Sequence, residues 1–218
     1  MIISRGRNYV FVHIPKTGGT SLALALEGRA MKDDILIGDT PKALKRRRRL
    51  KALTPAGRLW KHSTLADIDG VLSPDEIARA FTFTLVRNPW DRLVSYYHWL
   101  RGQRFDHPAA RLARDLPFSA FLNHDMTRAS VAANPYARYM TAADGSEQCR
   151  LYIRLEHFET DAQPLWDHLG MRLALPHANR SDRAAGWQSH YSPADADLVA
   201  RLCAQDVARF GYDVTSLT

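Results

Sequence analysis

Residues Asn8 to Ser21 read NYVFVHIPKTGGTS, and this stretch decides the fold. Asn8 to Ile14 is a short apolar run of β-branched and aromatic residues. It stops at Pro15 and a glycine pair, the pattern of a buried strand entering a turn. From Thr20 the chain continues SLALALEGRA, mostly strong helix formers. The segment therefore reads as strand, glycine loop, helix. Successive backbone N–H groups in such a loop, added to the positive end of the following helix, make an anion site. Lys16 adds a full charge there, and the hydroxyls of Thr17, Thr20 and Ser21 add donors beside Gly18 and Gly19. In a nucleoside-triphosphatase P-loop the lysine follows the glycines, whereas Lys16 precedes them, so this is a different motif.

A second unit of the same kind lies downstream. Ala80 to Arg87 (AFTFTLVR) reads as a strand, and Asn88 can cap a helix that has Pro89 at its first position and Asp91 in its first turn. That helix is expected to run to about Arg101, with Asn88, Arg92 and Ser95 on one face. Arg150 to Leu155 (RLYIRL) is a third strand candidate, and Thr160 to Leu169 reads as a helix closed by Gly170. Near the end, Ser192, Pro193 and Asp195 open a helix whose apolar stripe is Leu198, Val199, Leu202, Val207 and Phe210, with Gly211 as its stop. Strands alternating with helices predict an α/β fold of three layers, a mainly parallel sheet flanked by helices. Ligands in such folds bind beyond the carboxyl ends of the strands, where both loops belong.

The 218 residues, 45% of them hydrophobic, predict one domain over residues 1–218 with a substantial core. Between the first helix and the second strand, Asp39 to Trp60 has a different texture, with the basic run Lys45 to Arg49 inside PKALKRRRRLKAL. The segment is expected to be a surface helix or a partly mobile excursion, and Thr40 or Asp39 can cap such a helix, with Pro41 at its first position. No apolar leader precedes Tyr9 and no span suits a membrane, so the expected compartment is the cytoplasm. Cys149 and Cys203 are the only cysteines, far apart and without metal-ligand spacing. A net charge of +7 favours anionic partners without choosing among them.

FVHIPKTGGTSL resembles the 5′-phosphosulfate-binding loop of sulfotransferases, particularly the carbohydrate and related bacterial branch. LVRNPWDRLVSYYHWL is similar to the family's 3′-phosphate-binding segment. The resemblance implies a P-loop-like fold and 3′-phosphoadenosine 5′-phosphosulfate as nucleotide cosubstrate. Lys16, Thr17, Gly18, Gly19, Thr20 and Ser21 would bind it at one end, Arg87 and Ser95 at the 3′-phosphate. RLEHFETD, LPHANRS and DVARFGYD look like later landmarks, so the likeness spans roughly Tyr9 to Asp213. By the same likeness Asn179, Ser181 or Arg183 would touch the nucleotide, although the RKG tripeptide of the cytosolic branch is missing.

Transfer to a hydroxyl needs a proton acceptor, and nine histidines are present. His62, in LWKHSTLADI, lies where this family tends to place its catalytic histidine or carboxylate, and it is taken as general base with Lys16 as the catalytic cation. His13 reads as a packed or loop-supporting residue. His98, His177 and His190 have no catalytic or metal-binding spacing, and no metal is expected. The acceptor is a hydroxyl compound, with an anionic glycan one option for the basic run. A nucleotide kinase or hydrolase is a rival reading, but it would need a lysine after the glycines and a strand-end aspartate for Mg²⁺. A nucleic-acid-binding protein built on Lys45 to Arg49 is another, but that run lacks interleaved aromatics.

Overall fold

The computed structural model describes residues 1–175 and 186–214. Strands β1 (Ile2–Ser4) and β2 (Tyr9–Val12) precede helix α1 (Gly19–Gly28), strand β3 (Ile35–Leu36) and helix α2 (Pro41–Arg46). Then come α3 (Pro74–Arg79), β4 (Phe81–Val86) and α4 (Pro89–Arg101). Four short helices follow: α5 (Pro108–Asp115), α6 (Phe118–Asn123), α7 (Asp125–Ala132) and α8 (Tyr136–Tyr139). Strand β5 (Leu151–Arg154) leads into α9 (Phe158–Asp161) and α10 (Gln163–Leu169), and α11 (Pro193–Leu202) and α12 (Ala204–Phe210) complete the order. The chain divides into two compact units, residues 1–86 with 136–175 and residues 87–135 with 186–214.

The first unit holds a five-stranded sheet in the order β3-β1-β2-β4-β5. β4 lies parallel to both β2 and β5, with Phe11 opposite Phe83 and Phe83 opposite Leu151. These are the three strands read from the sequence. β2 is buried along its whole length, as a strand covered on both faces must be. Thr84, an unexpected residue for a dry strand, donates its hydroxyl to the Val12 carbonyl at 2.8 Å. Phe11, Phe83, Leu22, Leu26, Ile153 and Leu165 form the centre of the core.

Two strands have no counterpart in the sequence reading. β1 pairs antiparallel with β2 through a tight turn in which Asn8 takes φ 51, and β3 pairs antiparallel with β1. They are three and two residues long, too short to leave a periodic pattern. Only tertiary pairing makes them strands.

The basic segment is ordered. Thr40 caps α2 by accepting from the Ala43 amide at 3.2 Å, and a 3₁₀ turn runs on over Arg47–Ala52. Arg46 donates to the carbonyls of Met31 and Asp34 at 2.7 and 3.2 Å, and Arg49 donates to that of Lys32. These two arginines therefore fasten the loop between α1 and β3. Lys45, Arg47 and Arg48 are exposed.

The second unit packs around Trp90, Val94, Phe121, Leu122, Trp187 and Val199. Its buried Asp195 accepts from the side chains of Ser119, Asn123 and Ser192 at 2.7 to 2.8 Å. Two expected helices are each divided in two. The one placed over Thr160 to Leu169 breaks after Asp161, and Pro164, which has no N–H to donate, sits in the first turn of α10. The one expected to continue to Phe210 breaks at Cys203. Gly170 and Gly211 close α10 and α12 in the left-handed conformation expected of them.

Candidate active site

The loop after β2 has an unusual backbone. Lys16 takes φ 67 and Gly18 takes φ 83, so two left-handed residues stand in close succession ahead of α1. For lysine this conformation costs about 1–2 kcal/mol, a strain that persists only where surrounding contacts impose it. One such contact is visible: the buried hydroxyl of Thr17 donates to the Ile14 carbonyl at 3.0 Å, tying the loop back to the end of the strand. Alternating backbone conformations of this kind turn successive N–H groups toward one point.

α1 begins with Gly18 at its cap position, and no side chain caps it. Thr20 lies inside the first turn of the helix and does not cap it. A side-chain-free helix start, a lysine and the hydroxyls of Thr20 and Ser21 make a donor set with no acidic member, whereas the Thr17 hydroxyl expected among them is buried and donates to the Ile14 carbonyl. Such a set fits a phosphate or sulfate group. Gly19 is required by space, and Gly18 by its left-handed backbone as well as by a close neighbour. A Cβ on Gly18 would fall 2.8 Å from Leu155 Cδ1, and one on Gly19 would fall 2.3 Å from His13 Cδ2.

His62 lies next to the end of the same strand. Its Nδ1 is 2.7 Å from the carbonyl oxygen of His13, and the two imidazole rings meet edge to face with centroids 4.8 Å apart. A carbonyl oxygen can only accept, so Nδ1 carries the proton and Nε2 is the basic nitrogen. Burial lowers the His62 pKa to about 4, more than the bond to the His13 carbonyl raises it. His13 is more deeply buried than His62, and desolvation first, then the His62 ring, hold its pKa well below the ordinary value. Both rings are neutral at physiological pH.

Several residues at this place have no signature in the sequence. A small cavity beside the loop is lined by His13, Thr20, Glu27, Asp39, Thr40 and Lys61. Glu27, almost fully buried on α1, accepts the Thr40 hydroxyl at 2.6 Å, and burial raises its pKa. Burial also opposes the charge on Asp39, but its 2.6 Å bond from Lys61 prevails and holds that carboxyl below the usual range. Trp60 is 44% exposed, sits edge-on to His62 at 5.0 Å between centroids, and has the Arg58 guanidinium over its ring at 5.7 Å. Ser63, fully buried, pins this platform: its hydroxyl lies 2.9 and 2.8 Å from the Arg58 and Trp60 carbonyls, which share its one proton, and accepts the Trp60 amide. The Thr20-to-Glu27 helical spacing was the one readable signal, since positions seven apart share a face.

Arg87 and Ser95 belong to the second unit. Asn88 caps α4 by accepting from the Trp90 and Asp91 amides at 3.0 and 3.4 Å, as the sequence predicts. Arg87 is already engaged: Nε and Nη2 both donate to Oδ2 of Asp91, at 2.8 and 2.5 Å. Ser95 is buried on α4. Of the other tryptophans, Trp90, Trp166 and Trp187 are core residues and Trp99 is 38% exposed. Asn179, Ser181 and Arg183 lie outside the described residues. No described helix is long and apolar enough to cross a membrane.

The chain is similar to a solved structure of mouse sulfotransferase SULT7A1 complexed with PAP. The identity is 15% over 94% of this chain and 85% of that one, with a TM-score of 0.47. No curated protein matches it. The strand, the left-handed glycine loop and the helix that grows from it stand at the head of a longer match, because a model described as the sulfotransferase family spans residues 1–213, and the chain belongs to that family.

Proposed function

We propose that this chain transfers a sulfuryl group from 3′-phosphoadenosine 5′-phosphosulfate to the hydroxyl of an acceptor, with residues 1–218 acting as one catalytic domain in the cytoplasm. The observation that carries the reading is the pairing of an all-donor loop with a histidine whose tautomer is set by the strand leading into that loop. The loop Lys16 to Ser21 would hold the 5′-phosphosulfate end, and Arg87 with Ser95 the 3′-phosphate. The bound nucleotide supplies a sulfur centre with a good leaving group. His62 Nε2 takes the acceptor proton as the acceptor oxygen bonds to sulfur. Lys16 and the loop amides meet the charge that grows on the departing phosphate oxygen, the electrostatic role of a preorganised site. Adenosine 3′,5′-bisphosphate is the second product.

Trp60 supports a ring-bearing acceptor such as a sugar. It is exposed, rigidly held and edge-on to His62, so a hydroxyl reaching Nε2 brings its carbon skeleton near the indole. Transfer of labelled sulfate from the nucleotide to a panel of sugars, phenols and simple alcohols tests the reading. Transfer to a hydroxyl acceptor is expected without added metal. Tighter binding of ATP with Mg²⁺ than of adenosine 3′,5′-bisphosphate would overturn it in favour of a kinase or hydrolase.

A further inference from the structure

His13 touches both halves of this chemistry. The edge of its ring lies so close to Gly19, at the start of α1, that no side chain fits at position 19. The ring also meets the imidazole of His62, and the backbone carbonyl of the same residue accepts from His62 Nδ1 at 2.7 Å. Phe11 stacks on it at 6.0 Å between centroids, so the side chain is clamped within the first unit and only 7% exposed. It is thus a packed wedge with the anion loop on one side and the candidate base on another.

We propose that His13 is a positioning residue: its ring sets the spacing between the anion loop and His62 and keeps water from His62, while its carbonyl selects Nε2 as the basic nitrogen. The proposal rests on the reading of His62 as general base. It does not assign His13 a proton of its own. Close-packed interiors transmit such spacing because a buried ring has no room to shift. The titratable groups acting on the pair are Lys61 and Asp39 from the flanking segments, Lys16 from the loop and the amino group of Met1, whose own pKa burial lowers to about 5. The variants below leave all of these in place.

The test compares His13→Ala with His13→Phe, which keeps a ring of similar size without its nitrogens. Two readouts are used: the rate against pH, and the titration of His62 followed by its ring resonances in NMR. In His13→Ala, water reaches His62, its pKa climbs toward 6.5 and the acidic limb of the rate moves up with it. kcat falls roughly 10- to 100-fold through misplacement of the base, a larger loss than that in nucleotide affinity. His13→Phe keeps the limb and most of kcat. A wild-type His62 titration in His13→Ala overturns the proposal, and so does a phenylalanine variant as damaged as the alanine one, which would give the imidazole a chemical role. If the alanine chain does not fold, His13→Asn serves for the same comparison. Failure of the base reading shows separately, as a wild-type rate in His62→Ala, and the NMR titration needs no turnover.

Discussion

His62 Nδ1 and the His13 carbonyl oxygen stand 2.7 Å apart, and that single bond makes Nε2 the basic nitrogen of a part-buried, neutral ring. Lys16 sits on the strained loop that follows the same strand. The two side chains are therefore expected to fail differently. Lys16→Ala removes a charge that grips the bound nucleotide and meets the charge of the transition state, so binding and turnover both fall. His62→Ala leaves nucleotide affinity near wild type and lowers kcat by roughly two to four orders of magnitude. Calorimetry with adenosine 3′,5′-bisphosphate and steady-state rates separate the two. A His62 variant at wild-type rate would move the search to Asp39 and Glu27, which line the adjoining cavity.

The pH dependence follows from the depressed imidazoles. A base must be neutral to act, so the acidic limb of the rate is expected near pH 4, where His62 titrates, and not at the 6.5 of a solvated histidine. Stability takes the same sign. Between about pH 6.5 and about pH 4 the unfolded imidazole binds a proton that the folded one refuses, so folding weakens as pH falls through this window. For His62 the loss amounts to roughly 3 kcal/mol once the pH is below its folded value. Urea unfolding at a series of pH values checks this, and His62→Ala should flatten part of the dependence.

Arg87 is expected to distinguish adenosine 3′,5′-bisphosphate from adenosine 5′-phosphate, because a guanidinium fork suits a phosphate. Arg87→Ala should erase most of the preference. Asp91 holds that fork by two bonds to one oxygen, so Asp91→Asn should weaken the preference while leaving adenosine 5′-phosphate binding unaltered. Equal affinities for the two nucleotides in the wild type would sink the assignment.

The basic run divides into two sets with different expected outcomes. Arg46 and Arg49 are bonded to carbonyls of the loop between α1 and β3, so replacing them with glutamine lowers the melting temperature. Neutralising the exposed Lys45, Arg47 and Arg48 leaves stability and nucleotide binding intact and raises KM for an anionic acceptor. An unchanged KM there leaves these three as a solvated face. Collapse of nucleotide affinity would place the run at the cosubstrate.

Trp60→Ala is expected to raise KM for ring-bearing acceptors while leaving nucleotide affinity and folding close to wild type, since the indole is exposed and the platform beneath it is held by Ser63. Acceptor kinetics with a sugar and with a linear alcohol check the split. Equal effects on both would show that the indole supports His62 instead of contacting the acceptor.

The sequence by itself determined the elements whose signals are local: the three parallel strands, the glycine loop, and the caps at Thr40, Asn88 and Ser192. Strand-length apolar runs, glycine pairs and capping residues act within a few positions of themselves, so they can be read in order along the chain. It also singled out Lys16 by its place in the glycine loop and His62 through a family resemblance. What only the tertiary structure decided are relations between residues distant in the chain. β1 and β3 exist because Ile2 finds Phe11 and Leu36. His62 has one basic nitrogen because a carbonyl 49 residues away accepts from the other. Asp39 and Lys61 join the site through folding alone, and Arg46 and Arg49 spend guanidinium donors on carbonyls more than ten residues away. Desolvation and hydrogen bonding depend on what surrounds a group in space, and that environment is assembled only when the chain closes on itself.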